Sequence, residues 1–423
     1  MNVLLLGGGG REHAMAWRLS QSPLCQTLFV APGNAGTGEY ATNLAIDPND
    51  FPAVRTAVID NNVRLVICGP EEPLVRGIQD YFKAEDKLRD VRFIGPSAEA
   101  ARLEGSKAYA KEFMQEFNIP TAGYRRFTTD TLQEGLDYLS NCDTPIVLKA
   151  DGLAAGKGVV ILSDCGEAKV ELKEMLNGKF GRAGDEVVIE DFLDGIEFSV
   201  FVLTDGEDYR ILPVAKDYKR IGVGDTGPNT GGMGSVSHPP FVDAEMLAKV
   251  EQRVIIPTMK GIKRRGLDYK GFIFIGLISV ENEPYVIEYN CRMGDPETQS
   301  VMARLNSDFM QLCLETAAGE LAGSTIEIDE RQAATIVLVS GGYPGAYEKG
   351  KLILGLDEVK SSMVFHAGTK HDAAGEVVTN GGRVLAITSY GASFEDALKL
   401  SYENARKVKF AGVNYRGDIG FDL

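Results

Sequence analysis

Apolar residues gather in short runs over the first hundred positions, and each run ends in a loop rich in glycine and polar residues. Val3–Leu6, Thr27–Ala31, Val63–Cys68 and Val91–Ile94 read as buried strands, followed by GGGGREH, PGNAG, GPEEP and GPS. Most of these loops lead into a helical pattern. Such alternation predicts a parallel, doubly wound sheet. Ligands of these sheets bind beyond the carboxyl ends of the strands, where the four loops gather.

From about Glu104 the pattern changes. A helix over Lys107–Phe117 precedes Ile119-Pro120, and strand–loop–strand segments follow. PIVLKADGLAAGKGVVIL (145–162) reads as two strands about a glycine-rich turn, and DEVVIEDFLDGIEFSVFVLTDG (185–206) as strand, connection and strand. GFIFIGLISVENEPYVIEYN (271–290) reads as a hairpin of two alternating strands with a polar turn. This antiparallel α+β stretch gives way near Arg331 to AATIVLVSGGYPG, VFHAGTK and GGRVLAITSYG, expected to form a small strand-rich C-terminal domain. The fold class expected is therefore α/β and α+β multidomain, divided into 1–103, 104–330 and 331–423.

The length of 423 residues suits two to four domains, each with its own core. A net charge of −16 disfavours nucleic acid and anionic membrane surfaces as partners, since both need a basic face. No apolar stretch approaches the ~20 residues that span a bilayer. A strand starting at residue 3 leaves no room for a signal peptide, so a cytoplasmic location is expected. Cys25, Cys68, Cys142, Cys165, Cys291 and Cys313 lie far apart without a Cys-x-x-Cys, which fits reduced thiols and gives no zinc framework. His13, His238, His366 and His371 show no metal-ligand spacing, which argues against a His-based metal site.

Three stretches carry candidate chemistry. The opening glycines suit a phosphate held on backbone N–H groups where a helix begins, near Glu12. A dinucleotide fingerprint is ruled out, because the third glycine position falls on Glu12 or His13 and the second strand ends Val30-Ala31-Pro32-Gly33 without an acid. A tight turn that binds nothing is the plain alternative. DGLAAGKGV (151–159) resembles a Walker A loop but has three residues, not four, between Gly152 and Gly156, and Gly158 stands where Ser or Thr would meet magnesium. Flanked by strands, it suits a hairpin folding over triphosphate, with Lys157 supplying charge; a mobile hairpin tip is the alternative. Lys149, on the strand before it, is costly to bury unless an anion pairs with it. In VIEYNCRMGDPETQ (286–299), Glu288 and Asn290 share a strand face and offer two oxygens to a hard cation such as magnesium. Arg292, Asp295 and Glu297 follow; a surface ion-pair network is the alternative there.

Taken together, GSK (105–107), VLKADGLAAGKGV (147–159), IEDFLDGIEFS (189–199), DTGPNTGGMG (225–234) and IEYNCRMGDPETQ (287–299) resemble the ATP-grasp ligases. With GGGGREHA, APGNAGT (31–37), GPEEPLV (69–75), SGGYPG (340–345) and HAGT (366–369), the resemblance is closest to the phosphoribosylamine–glycine ligase family, over essentially the whole chain. It implies ATP between two antiparallel sheets, with residues of about 122–194 as a mobile lid. Lys107 and Lys149 would contact phosphates, and the loop with Gly152, Gly156, Lys157 and Gly158 would close over them. Glu190 and the backbone through Leu193 would read the adenine edge, and Glu197 the ribose. Glu288 and Asn290 would ligate Mg²⁺ or Mn²⁺. Gly8, Gly9, Gly10, Asn34, Gly36 and Glu71 would hold phosphoribosylamine. Arg292 and Asp295 would lie near glycine and the intermediate, with Asp217 and Lys219 as further candidates.

Two positions depart from the family pattern. Met293 replaces the usual Leu or Phe, a conservative change. Gly276 stands where many ATP-grasp enzymes carry a second acidic metal ligand. The implied reaction is ligation of glycine to 5-phosphoribosylamine through a glycyl phosphate, in de novo purine synthesis, by a monomeric chain. Another ATP-grasp carboxylate–amine ligase or a carboxylase would share the ATP machinery. A non-catalytic nucleotide and sugar-phosphate binder predicts loss of metal ligands or loop lysine, yet Glu288, Asn290, Lys149 and Lys157 are all present.

Overall fold

The first apolar run forms β1 (Asn2–Gly7) in the computed structural model, which describes residues 1–154 and 158–423. It is apolar throughout because both faces are covered: Val3 and Leu5 enter one core, Leu4 and Leu6 another. With β2 (Thr27–Pro32), β3 (Thr42–Asn43), β4 (Val63–Cys68) and β5 (Arg92–Ile94) it makes a parallel sheet of order β3-β2-β1-β4-β5. The expected doubly wound sheet is present. Its order reverses between β1 and β4, so the loops after these strands flank a crevice. The helix after β1 spans Gly10–Ser20, beginning earlier than expected with Gly9 as its N-cap.

A second, antiparallel sheet follows, ordered β6-β9-β7-β8 from β6 (Tyr124–Thr128), β7 (Ile146–Ala150), β8 (Val159–Leu162) and β9 (Glu186–Asp191). Ile146, Leu148, Val187 and Ile189 enter a small separate core with Phe127, Leu139 and Leu172. By the strand period of two, Lys149 and Glu190 face the other way.

The chain then crosses into a third sheet through β10 (Ile196–Thr204) and β11 (Tyr209–Ile211). After β12 (Lys216–Asp217) come a hairpin of β13 (Arg220–Gly222) and β14 (Thr226–Asn229), and β15 (Gly234–Ser237). Strands β16 (Gly271–Val280) and β17 (Glu283–Asn290) complete the third sheet in the order β11-β10-β16-β17. Glu281 (φ 50°) and Asn282 (φ 62°) form their turn, both left-handed as a two-residue hairpin loop of matching twist requires. β16 does not alternate as expected: Phe272 and Phe274 enter one core and Ile273, Ile275 and Leu277 another, so it is buried on both faces.

The last strands are β18 (Gln332–Val339), β19 (Ser362–His366), the small hairpin β20 (Thr369–His371) with β21 (Val377–Thr379), and β22 (Arg383–Gly391). The fourth large sheet runs β12-β15-β18-β22-β19, so it draws strands from both sides of residue 331. A buried hydroxyl chain pins the helix Glu297–Arg304 to it: Ser235 Oγ to Ser300 Oγ (2.8 Å), to Thr335 Oγ1 (2.7 Å), to Thr388 Oγ1 (2.8 Å). Among the described residues no helix is long and apolar enough to cross a membrane.

Candidate active site

Where the chain passes from β9 to β10, the second and third sheets enclose a cavity of about 710 Å³. That lies within the roughly 300–1,000 Å³ usual for ligand sites. Lys107, Lys149, Gly158, Glu190, Glu197, Glu288 and Asn290 line it, as do Glu71, Asp217, Lys219, Arg292 and Asp295. Gly8, Gly9, Gly10, Asn34, Gly36, Gly152 and Leu193 are not among its lining residues. Gly156 and Lys157 lie outside the described residues.

The anion that a buried Lys149 demands is Glu190. Glu190 Oε2 takes Lys149 Nζ at 3.0 Å and Lys111 Nζ at 3.1 Å, all three side chains being almost fully buried. Burial lowers Lys111 to a pKa of about 8, against the pull of Glu190. The other oxygen, Glu190 Oε1, is buried without a partner among the described residues. A buried orphan acceptor is expensive, and the exocyclic amine of a purine would satisfy it. Lys107 is tethered through Nζ to the carbonyls of Asp151 (3.3 Å) and Gly152 (3.2 Å), and burial lowers its pKa. Lys219 bonds Glu197 Oε2 at 2.7 Å; although burial opposes ionisation, Lys219 holds Glu197 below the usual carboxylate range.

Glu288 has no hydrogen-bond or ion-pair partner among the described residues, and the buried Nδ2 of Asn290 has none either. Burial favours the neutral acid, yet Lys219, Lys149 and Lys107 outweigh it and keep Glu288 ionised. An ionised, unpartnered carboxylate two residues from an amide oxygen on one strand fits a hard dication completed by water and phosphate oxygens. Gly276 pairs directly with Glu288 across the sheet, and a Cβ there would lie 3.3 Å from Glu288 Cγ. A side chain at this position would press on the glutamate. Among the described residues no group of three or more His, Cys, Asp or Glu is arranged to hold a metal.

Just beyond Asn290 stands the block Arg292–Gln299. Arg292 is held between Glu104 Oε1 (2.9 Å) and Glu71 Oε2 (3.3 Å). Glu71, expected on the substrate, is thus engaged by protein; burial would raise its pKa, but Arg292 and Arg11 lower it. Arg11 Nη1 donates to the Met293 carbonyl (2.9 Å), and the Arg11 N–H to Asp295 Oδ2 (3.4 Å). Gly9 N–H donates to Glu12 Oε2 at 2.7 Å. Of the three amides expected to cradle a phosphate, that of Gly9 is therefore occupied by a carboxylate; those of Gly8 and Gly10 have no partner among the described residues. Asn34 is saturated too. It donates to the carbonyls of Gly8 (3.0 Å) and His366 (2.8 Å) and accepts from the N–H groups of Gly36 (2.9 Å) and Thr37 (3.0 Å). It shapes the loop rather than offering a ligand contact. Gly36 sits where a Cβ would lie 2.3 Å from His13 Cε1 and 2.6 Å from His366 Cδ2, so packing demands the glycine.

Three family models match in succession: phosphoribosylglycinamide synthetase N domain over residues 1–104, ATP-grasp (A) domain over 105–298 and C domain over 333–422. The phosphoribosylamine–glycine ligase of Escherichia coli strain K12 is 46% identical over 427 aligned residues, covering 100% of this chain and 98% of the relative. The Yersinia pestis protein of that name is likewise 46% identical, with the same coverage. The chain belongs to the phosphoribosylamine–glycine ligase family. The crystal structure of the Thermotoga maritima phosphoribosylamine–glycine ligase superposes with a TM-score of 0.84 at 35% identity, covering 98% of this chain and 99% of that one. A Campylobacter jejuni biotin carboxylase, described as a beta-gamma-ATP complex, shares the fold, with a TM-score of 0.75 at 14% identity over 98% of this chain and 92% of its own.

Within this phosphoribosylamine–glycine ligase fold, two further acids, Asp217 and Glu297, line the cavity with Arg292. Burial, then the charge of Asp217, pushes Glu297 up to about 8, and burial raises Asp217 as well. Sequence reading missed Arg11, Glu104, Lys111 and Arg383, which line the cavity or its walls. Arg383 Nη1 donates to the Asp295 carbonyl (2.5 Å) and its Nη2 lies 3.4 Å from Asp295 Oδ2. None carries a local signal except Lys111, a lysine on the apolar stripe of the helix Lys107–Glu116.

Proposed function

We propose that the chain joins glycine to 5-phosphoribosylamine at the expense of ATP, giving glycinamide ribonucleotide, ADP and phosphate in de novo purine synthesis. The observation that carries this reading is the packing of the Arg292–Gln299 block, which walls the cleft on one side and meets the loop around Gly9 and Arg11 on the other. Glycine's carboxylate attacks the γ-phosphate, forming an acyl phosphate and ADP. The amine nitrogen then attacks the acyl carbon, phosphate leaves, and the amine gives up a proton.

Lys107, Lys149 and Lys157 hold the triphosphate, with Gly152, Gly156 and Gly158 in the loop over it. Glu190 Oε1 and the Leu193 backbone read the adenine, and Glu197 binds the ribose. Glu288 and Asn290 hold Mg²⁺ or Mn²⁺, which supplies charge neutralisation at phosphate oxygens. Arg292 opposite Asp217 and Glu297 suits a zwitterion, the carboxylate at the guanidinium and the ammonium at the acids. Gly8 and Gly10 offer their free amides to the sugar phosphate, with Asp295 beside the amine. Catalysis is then chiefly positioning and charge complementarity. The chain acts as a cytoplasmic monomer in this reading.

Phosphate release from ATP tests it, with glycine and phosphoribosylamine supplied separately and together, the amine generated from ribose 5-phosphate and ammonia. Release should need both, with glycinamide ribonucleotide appearing in step. Turnover without glycine would reject the reading.

A further inference from the structure

β12 brings a further cation to the cleft for which the reaction above has no use. Lys216 lines the cavity with only 7% of its side chain exposed. Its Nζ donates to the Glu197 carbonyl at 3.3 Å and pairs with Asp422 Oδ2 at 3.1 Å. An ammonium has three donors, so one is left for a ligand. Asp422 also lines the cavity, and its Oδ1 accepts from the Tyr218 hydroxyl at 2.9 Å. Lys216 Nζ lies 4.9 Å from the centre of the Tyr218 ring. One carboxylate from the C-terminal segment therefore grips two side chains two residues apart, Lys216 on β12 and Tyr218 just beyond it.

The segment that presents Asp422 is itself fixed. Arg416, with no exposed side-chain surface, pairs with Asp225 and with Asp418 Oδ1 (2.6 Å), and Asp418 Oδ2 accepts the Gly224 N–H at 2.7 Å. A carboxylate shared between an ammonium and a phenol neutralises the ammonium only in part, and burying such a cation is costly unless a further anion or polar group meets it. The bond to the Glu197 carbonyl puts that residual charge beside the group that binds the ribose.

We propose that Lys216 contacts the nucleotide at the ribose end of the cleft and that Asp422 is the positioning residue that holds its ammonium there. The C-terminal segment then takes part in ATP binding as well as in building the fold. The inference rests on the placement of the ribose at Glu197.

The test is equilibrium binding of Mg·ADP to the full chain by calorimetry, with KM for glycine measured beside it. Lys216→Met should raise the ADP Kd roughly tenfold, the loss of one charge-assisted hydrogen bond, and leave the glycine KM unchanged. Asp422→Asn should raise the ADP Kd in the same direction, Asp422→Glu and Lys216→Arg should stay near wild type, and Lys216→Met with Asp422→Asn should be no worse than Lys216→Met alone. An ADP Kd within about twofold of wild type for Lys216→Met, or an equal rise in the glycine KM, overturns the proposal in favour of a mere staple between segments. Glu197→Gln separates the two readings: ADP binding indifferent to it removes the ribose placement, whereas binding that responds to it but ignores Lys216→Met removes only Lys216.

Discussion

Replacing His13 with asparagine should make the protein less sensitive to acid. His13 is 2% exposed, and its ring is packed against Tyr40, Phe365 and His366 with centroids 5.6–5.7 Å away. Its Nδ1 accepts the His366 N–H at 2.7 Å, so the ring proton sits on Nε2 and a second proton on Nδ1 would oppose that donor. Burial first, and then the neighbouring His366, lower its pKa from 6.5 to about 3. The unfolded chain thus takes up a proton from about pH 6.5 downwards while the folded chain does not until about pH 3. Stability contributed by keeping the ring neutral is complete above the unfolded pKa and is lost as the pH falls. Between pH 7.5 and 5 the loss is about 2 kcal/mol for one such histidine, at 1.36 kcal/mol per unit. Asparagine keeps an acceptor for the His366 N–H and does not titrate. Urea unfolding can be followed through the fluorescence of Trp17, the sole tryptophan, whose ring centroid lies 5.8 Å from that of Phe365 in the same cluster. Carboxylates titrate in both proteins and cancel in the difference. Relative to its own value at pH 7.5, the variant should lose about 2 kcal/mol less than wild type by pH 5. Parallel pH curves would refute a neutral, buried His13.

Three further outcomes follow from the cleft. Arg292→Met leaves Glu104 and Glu71 facing each other unpaired, and should lower stability by about 3–5 kcal/mol and abolish amide formation, read by melting and product assay; an unchanged melting temperature contradicts the buried pairing. Glu288→Gln should raise the Mg²⁺ concentration for half-maximal activity at least about tenfold with little change in melting temperature; an unaltered metal titration puts the ligands elsewhere. Glu190→Gln leaves Lys111 and Lys149 on a neutral amide, so the pKa of Lys111 should drop below about 8 and ADP should bind roughly tenfold or more weakly by calorimetry. Undiminished ADP affinity removes Glu190 from the adenine site.

Much of this was legible in the sequence because it is local. Buried strands on two covered faces show as apolar runs, and β1, β2 and β4 do so. Lys149 was marked by its apolar neighbours, and its partner Glu190 proved to lie on the adjacent strand. Tertiary proximity explains what was not legible. β12 and β15 have two and four residues, and β15 pairs with a strand about a hundred positions onward, so no strand is expected from the sequence at KD or GSVS. Asn34 and Glu71 sit in the right loops, yet their bonds go to protein, which no spacing reveals. Lys216, Arg383 and Asp422 acquire meaning only when distant segments meet.

The sheet β12-β15-β18-β22-β19 also has a consequence for how the molecule is made. β12 and β15 leave the ribosome long before β18 and β22, and until those strands arrive β15 keeps an open edge of unpaired N–H and C=O groups. Such edges template pairing with other chains, and non-local strand pairing is slow. A nascent chain halted near residue 330 would lack Arg383 and Asp422 from the cleft and would present that edge to its neighbours. The cleft therefore gains its last lining residues, Arg383 and Asp422, only when the final ninety residues are in place.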